Sequence, residues 1–210
     1  MLYFNTLPKV LTPDQNGNYI LMTNILTRAT LIEELQNNPM LFYTYSIQDG
    51  DTPEIISEKY YGDPYKYWIV LYSNQIMDPI WNWPLNYEQF LSYINSKYAT
   101  EAEDADKTPY EYTNTTVYAY QKVITTTDSF SESSTEKIIP LDEDAYNSFV
   151  ETNNTYTLPS GLTCSVRATK RSVTLYDHEY DLNEAKREIK IMNNNYVNQM
   201  EEQLKTVMET

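Results

Sequence analysis

The sequence predicts a small α+β protein with an N-terminal arm, a mixed helix-and-strand core and a β-hairpin-rich C-terminal extension that ends in a helix. Residues 41–47 place Tyr43, Tyr45 and Ile47 on one face, which is typical of a half-buried strand. Three helix starts follow within fifty residues, each marked by a capping residue and a helical apolar stripe. Beyond residue 100, apolar and polar residues mostly alternate with a period of two, which is typical of strands. An apolar stripe with helical spacing returns near residue 197.

The N-terminal arm comprises residues 1–40 and is expected to be largely irregular. Turn signals occur at Pro8, at Pro13 and at Asn16-Gly17-Asn18. A short strand is predicted over residues 19–27 and a helical turn over residues 31–35.

The core is expected to span residues 41–98 and to contain three helices. Asp51 and Glu54 predict a capping box for the first helix, and Gly62 supplies the positive φ that ends it. Asp63-Pro64 starts the second helix, and Asn86 caps an extra, third helix from Tyr87. The residues that we assign to the core are Ile55, Ile56, Trp68, Ile69 and Phe90.

Residues 99–210 begin with an acidic segment. Between residues 100 and 151 there are 12 acidic residues and three lysines, and the run at residues 101–106 is interpreted as a solvated linker. A strand is predicted at 115–125, a mobile Ser/Thr-rich loop at 125–136 and a short helix at 142–150.

The rest of the extension is predicted as strands at 162–169 and 173–180, followed by a turn into 187–192 that completes a hairpin. A terminal helix follows, and its apolar stripe consists of Val197, Met200, Leu204 and Val207.

Composition excludes several classes of function. The formal net charge of −15 argues against nucleic acid and anionic membranes as main partners. A single cysteine and a single histidine leave disulfide frameworks and zinc sites without ligands, and no apolar run is long enough to span a bilayer. We therefore expect a soluble protein made in a reducing cytoplasm. The 21 tyrosines favour half-buried surfaces and protein interfaces.

Residues for catalysis are scarce. His178 is the one imidazole available to a nucleophile, and alternation places it on a surface strand. Cys164 shares a strand face with small apolar residues, which indicates a core position. Carboxylates alone serve glycosidases, so a hydrolase stays an alternative, as does a calcium site in the acidic run. We expect no enzyme activity, no cofactor, no metal and no small-molecule substrate.

Two of the three tryptophans lie in a loop. Trp81 and Trp83 flank Asn82 and are followed by Pro84. Such loop aromatics stack on sugar rings or anchor protein interfaces, and packing over the chain's own core is the equally weighted alternative.

The segment from Tyr45 to Thr52 resembles the opening of a LysM module. The residues that continue the pattern are Ile55, Ile56, Tyr60-Tyr61-Gly62, Leu71 and Asn74. The resemblance implies a βααβ fold, with both helices on one face of a two-stranded sheet.

Further residues, in order, extend the resemblance to one branch of LysM-like proteins. They are Asn24 with Arg28, Gly50 to Glu54, Tyr60 to Asp63, Tyr67-Trp68, Ile76, Asp78-Pro79, Trp83-Pro84, Tyr180, Leu182 to Arg187, Ile189 and Ile191. Together they resemble the small LysM-like baseplate wedge subunit of contractile-tailed, myovirus-type bacteriophages. This resemblance implies a virion protein, assembled in the host cytoplasm, that binds the core wedge proteins and clamps neighbouring wedges into a sixfold ring.

The partner contacts expected on this basis are Trp81, Trp83, Tyr176, His178, Tyr180, Arg187, Met200 and Leu204. The alternative is a module that binds peptidoglycan or another carbohydrate. The extra helix from Tyr87 weakens that alternative, because ordinary LysM modules return to their second strand soon after the second helix.

Overall fold

The computed structural model describes residues 3–27, 31, 33–128, 133–159 and 161–209, and the α+β prediction is confirmed. Arg28 and residues 129–132 of the predicted mobile loop lie outside the described residues. The helices are α1 (Glu33–Gln36), α2 (Pro53–Tyr61), α3 (Tyr67–Ser73), α4 (Tyr87–Lys97), α5 (Ala99–Asp104), α6 (Pro109–Thr115), α7 (Glu143–Ser148), α8 (Leu175–Glu184) and α9 (Asn194–Glu209). The strands are β1 (Lys9–Pro13), β2 (Tyr19–Thr23), β3 (Phe42–Ser46), β4 (Val117–Asp128), β5 (Ser134–Leu141), β6 (Thr152–Thr157), β7 (Thr163–Thr174) and β8 (Glu188–Met192).

The chain forms two compact units. Unit 1 comprises Met1–Asn86 together with Asn183–Thr210, and unit 2 comprises Tyr87–Leu182. Unit 2 is therefore an insertion within unit 1. The sequence-based boundaries at residues 40 and 98 did not anticipate that the last 28 residues return to the first unit.

Unit 1 is built around a two-stranded antiparallel sheet. Strand β3 pairs with β8, from Phe42 opposite Met192 to Ser46 opposite Glu188. Helix α2 packs against α3, and α3 packs against β8. The predicted strand at 41–47 is confirmed, but its partner lies more than 140 residues later in the chain.

Two apolar clusters form the core of unit 1. The larger joins α3 to α9, and the smaller lies between the sheet and helices α2 and α3. The buried residues of the larger cluster are Leu7, Phe42, Trp68, Ile69, Met192, Val197, Met200, Leu204 and Met208. Those of the smaller cluster are Ile47, Ile56, Val70, Ile189 and Ile191.

Helix α2 differs from its prediction at its first residue. Its N-cap is Thr52, whose hydroxyl accepts the amide of Ile55 at 3.3 Å, whereas Asp51 is buried one residue earlier. Gly62 ends the helix with φ of +66°, as predicted. Ile56 is fully buried, but Ile55 is 43% exposed, because adjacent helical residues point about 100° apart. The assignment of Ile55 to the core is therefore wrong.

The N-terminal arm is more ordered than the sequence indicated. Strands β1 and β2 form an antiparallel hairpin around the Asn16-Gly17-Asn18 turn, in which Gly17 has φ of +81°. The Asp14 carboxylate accepts the amides of Asn16 and Asn18, each at 2.8 Å. The predicted strand at 19–27 ends at Thr23, and its partner strand β1 was not predicted.

Unit 2 contains a four-stranded antiparallel sheet in the order β5-β4-β7-β6, with helices α4 to α8. The acidic run at 101–106 is not a linker, because most of it lies in α5, where Ala102 is fully buried. The long loop expected at 125–136 is largely paired strand, since β4 reaches Asp128 and β5 begins at Ser134.

The strand predicted at 173–180 is wrong beyond Thr174, where α8 begins. Thr174 and Asp177 form reciprocal hydrogen bonds, each from a backbone amide to a side chain and each of 3.1 Å, which is the geometry of a capping box. The predicted hairpin from 173 to 192 consequently does not form, and β8 pairs with β3 instead. The alternation of polar and apolar residues here masked a helix start.

Candidate interaction surface

A loop of residues 74–86 follows α3 and is tied to the sheet at its first residue. The Asn74 side-chain amide donates to the carbonyls of Val70 at 2.8 Å and Lys190 at 2.7 Å. Its oxygen accepts the amide of Lys190 at 2.7 Å. Since Lys190 lies in β8, Asn74 joins the end of α3 to the sheet. These bonds give a physical reason for an asparagine at position 74.

The middle of this loop presents apolar side chains to solvent, although several of its backbone groups are held by hydrogen bonds. The Asp78 carboxylate accepts the amides of Ile80 at 2.9 Å and Trp81 at 3.2 Å, and the Asp78 carbonyl accepts the amide of Asn82. Lys186 donates to the carbonyl of Trp81 at 2.8 Å. The side chains of Ile80 and Trp81 nevertheless remain 72% and 66% exposed. We call residues 77–81 the Trp81 loop.

Trp83, in contrast, contacts the core of unit 1. Its indole N–H donates to the carbonyl of Asp51 at 3.0 Å, and its ring packs against the smaller core cluster. Leu85 and Asn183 then close the loop, because the Asn183 side chain bonds both the amide and the carbonyl of Leu85. We therefore assign Trp83 to anchoring the loop, in keeping with the alternative that it packs over the chain's own core.

Asp51 is the polar centre of the turn that Trp83 covers. Its carboxylate accepts hydrogen bonds from the Tyr45 hydroxyl at 2.5 Å, the Gln48 amide at 3.1 Å and the Lys59 ammonium at 2.6 Å. Burial by itself would raise the pKa of Asp51, but the hydrogen bonds from Lys59 and Tyr45 outweigh it and hold the pKa below its usual range. Asp51 therefore organises the turn as a carboxylate.

Arg187 is also engaged within unit 1. Its guanidinium bonds the carboxylates of Glu184 at 2.8 Å and Asp49 at 2.9 Å, and it donates to the carbonyl of Ile47 at 3.2 Å. These bonds tie the start of β8 to the end of β3. Arg187 thus positions the sheet, and its guanidinium is engaged within the chain rather than held open for a partner.

Met200 and Leu204, two further expected contacts, lie in the larger core cluster and are 8% and 3% exposed. Met200 lines a small open apolar groove of about 120 Å³ that α9 forms with α1, β3 and β8. Both side chains serve the chain's own core. A helix places every third or fourth residue on one face, so the sequence predicts an apolar face. It does not say whether that face packs on the chain's own core or on a partner.

The aromatic residues expected as contacts in unit 2 lie on α8 and pack largely within that unit. His178 stacks on Tyr118 with ring centroids 3.7 Å apart. Tyr176 meets the ring of Phe90 edge-on at 5.5 Å and is half-buried. Tyr180 contacts Phe90 as well but keeps 44% of its surface exposed. Of the three, Tyr180 offers the largest accessible surface.

Glu179, on the same helix, is a buried carboxylate that sequence reasoning missed. It accepts hydrogen bonds from the hydroxyls of Tyr93 at 2.9 Å and Tyr98 at 2.8 Å and from the ammonium of Lys97 at 2.7 Å. Burial would raise the pKa of Glu179, but the bonds from Lys97 and Tyr98 lower it overall. Burial, together with the bond to Glu179, raises the pKa of Tyr98 to about 12. The hydrogen-bond partners of Glu179 lie about 80 residues away in sequence, so no local pattern marks this cluster.

No protein-family model matches this chain, and no curated protein matches it at a significant level. Within the described ranges, no group of three or more His, Cys, Asp and Glu side chains is placed to hold a metal ion. In the same part of the chain, no helix is both long enough and apolar enough to cross a membrane.

Proposed function

We propose that this chain is a structural protein of a phage tail baseplate that binds core wedge proteins and clamps adjacent wedges into the sixfold ring. The order β3, α2, α3, β8 in unit 1 supports a LysM-like core, in which unit 2 is inserted before the closing strand. This arrangement also accounts for the extra helix from Tyr87, which begins the insertion.

The observation that carries the proposal is the Trp81 loop. Hydrogen bonds hold the backbone of this loop, so little backbone freedom is lost when Trp81 binds a partner. Large aromatic anchors of this kind dominate the binding energy of many interfaces. The apolar hairpin of β1 and β2 adds a second exposed surface.

The groove beside α9 is smaller than most sites for small molecules. Sites for small molecules usually enclose roughly 300–1,000 Å³, whereas this groove has about 120 Å³. The His178 ring is stacked on Tyr118. Neither this groove nor the stacked His178 gives the hydrolase alternative specific support.

Carbohydrate binding is the rival proposal, and Trp83 weighs against it. A LysM sugar groove lies between the first helix and the closing loop, and here Trp83 bonds to the turn before α2. Of the two loop tryptophans, only Trp81 keeps an exposed ring for stacking on a sugar. Pull-down by purified peptidoglycan, lost in Trp81→Ala, would favour the rival.

The test of the proposed function is co-expression of this chain with the neighbouring structural proteins of its phage, followed by native mass spectrometry. We expect a stoichiometric complex that closes into rings when this chain is present. A chain that purifies alone beside every tail protein would contradict the proposal.

Within that complex, Trp81→Ala should weaken binding by about tenfold or more while the melting temperature of the free chain stays unchanged. Trp83→Ala is the matched control with the same residue change two positions away. It should lower the melting temperature of the free chain, because it removes the anchor to Asp51. Equal loss of stability in both variants would show that Trp81 has a structural role.

A further inference from the structure

The β1–β2 hairpin carries apolar side chains on both of its faces. An antiparallel sheet with one face on a core and the other in water alternates apolar and polar residues, which these strands do not. The register places Leu11, Tyr19 and Leu21 on one face, and Val10, Ile20 and Met22 on the other. All six side chains are at least 41% exposed, and Leu11 and Leu21 are 66% and 62% exposed. This pattern is typical of a ribbon that is covered on both sides in its working state.

The two edges of the hairpin differ in their backbone groups. Residues in an antiparallel ladder point their amides alternately inward and outward. The amide of Asp14 donates to the carbonyl of Asn18, and the amide of Asn24 donates to the carbonyl of Pro8. The amides of the even-numbered residues of both strands therefore point toward the paired strand. The outward positions are Lys9, Leu11 and Pro13 on β1, and Tyr19, Leu21 and Thr23 on β2.

Only one of these two edges is suited to accept another strand. On β1 the outward positions include a proline, which has no amide hydrogen, and a lysine, and both residue types are used by proteins to block strand addition. On β2 all three outward residues have amide hydrogens, and none is charged. The described hydrogen bonds include none from these three amides.

The charge of the chain indicates that a strand pairing with β2 would come from a different protein. Lys9 and Asp14 are the charged residues of segment 8–27, so the hairpin is locally neutral on a chain of net charge −15. A second copy would bring another −15 into proximity, and the like charge opposes self-association. A neutral or basic partner meets no such repulsion.

We propose that the outer edge of β2 pairs with an extended strand at a sheet edge of a partner protein, whose apolar side chains cover the two faces of the hairpin. This inference rests on the proposed function, because it needs a partner, and it names the segment that engages it. Main-chain hydrogen bonds would supply affinity, and the alternating side chains would supply register.

The first test is hydrogen–deuterium exchange of the full chain, alone and in the co-expressed complex, with resolution at single amides. The amides of Tyr19, Leu21 and Thr23 should exchange freely in the isolated chain and slow by at least about a hundredfold in the complex. The amides of Lys9 and Leu11 serve as the internal control and should change much less.

The second test uses the cross-strand pair Leu11 and Leu21, which share a face and both point their amides outward. Leu21→Pro should weaken binding about tenfold more than Leu21→Ala, since it also removes a donor of the proposed strand pair. Leu11→Pro should weaken binding no more than about twofold beyond Leu11→Ala. Protection of the inward amides of Ile20 and Met22 verifies that each variant keeps the hairpin.

The outcomes separate this inference from the proposed function. A complex without protection at β2, or with protection at β1 instead, overturns the inference and leaves the clamp function standing. Protection that appears on dimerisation of the isolated chain overturns the choice of a different protein as partner. If no complex forms, the proposed function fails, and the inference fails with it.

Discussion

Asp51 illustrates how one side chain takes a different role from the one its local sequence favours. Asp51 is the first residue of an Asp-x-x-Glu pattern, which predicts that Asp51 is the N-cap, but Thr52 fills that position. Asp51 is instead buried among three donors from the strand, the turn and α2. A buried carboxylate is tolerated here because its hydrogen bonds replace the lost water.

Replacing Asp51 by Asn should therefore destabilise the chain in a pH-dependent way. At pH 7 we expect a loss of about 1–3 kcal/mol in the free energy of unfolding, because a charged hydrogen-bond acceptor is lost beside Lys59. The pKa of Asp51 is lower in the folded chain than the unfolded value of roughly 3.9, so its contribution is complete above about pH 5. It is lost as the pH falls through the folded pKa.

Urea denaturation between pH 2 and pH 7 measures this difference. Glu58→Gln removes an exposed carboxylate from α2 and is the matched control, with an expected change within about 0.5 kcal/mol. A difference between wild type and Asp51→Asn that stays constant down to pH 2 would contradict the assigned role.

In helix α9 the buried positions differ at one place from the apolar stripe that the sequence predicts. The sequence predicts Val207 on the buried face, following Val197, Met200 and Leu204. In the structure Met208 is buried at 3% exposure, whereas Val207 is 60% exposed. Over several turns, the drift of a helix with 3.6 residues per turn selects position 208 over 207.

Truncation at these two neighbouring positions should consequently have unequal effects. Met208→Ala should lower the free energy of unfolding by about 2 kcal/mol, because it leaves space within the larger cluster. Val207→Ala should change it by no more than about 0.5 kcal/mol. Chemical denaturation of both variants provides the measurement, and a larger loss for Val207→Ala would favour the register predicted from sequence.

For the chain as a whole, the main feature is the insertion of unit 2 into unit 1. The Asn183 side chain bonds the backbone of Leu85 at 2.8 and 3.0 Å, so the two points where the chain leaves and re-enters unit 1 lie side by side. Domains inserted at adjacent ends are commonly separable, because few contacts depend on the connection.

We expect unit 1 to fold when residues 87–182 are replaced by a short Gly/Ser linker. The β3–β8 pairing and both core clusters consist of unit 1 residues, so their contacts remain available. Amide protection of Tyr43, Tyr45 and Ile191, measured by NMR, would verify the sheet. An unfolded product would contradict the independence of unit 1, and Asn183→Ala in the full chain would then measure the contribution of the closing contact.

Local signals in the sequence determined the elements whose ends are chemically marked. Gly62 ends α2, Asp142 caps α7 by accepting the amide of Ala145, and the stripe of α9 is correct through Leu204. Each depends on residues within a turn or two of one another, which is the range over which capping and periodicity act.

Long-range contacts decided the rest. The pairing of β3 with β8, the burial of Glu179 by residues some 80 positions away and the inward turn of Trp83 beside an outward Trp81 have no local signature. Where two local patterns conflicted, as at Thr174, the capping box and the packing of α8 against Phe90 prevailed over strand-like alternation. The physical reason is that the free energy gained by burying a side chain depends on the residues that surround it in space. The residues next to it in sequence do not specify those surroundings.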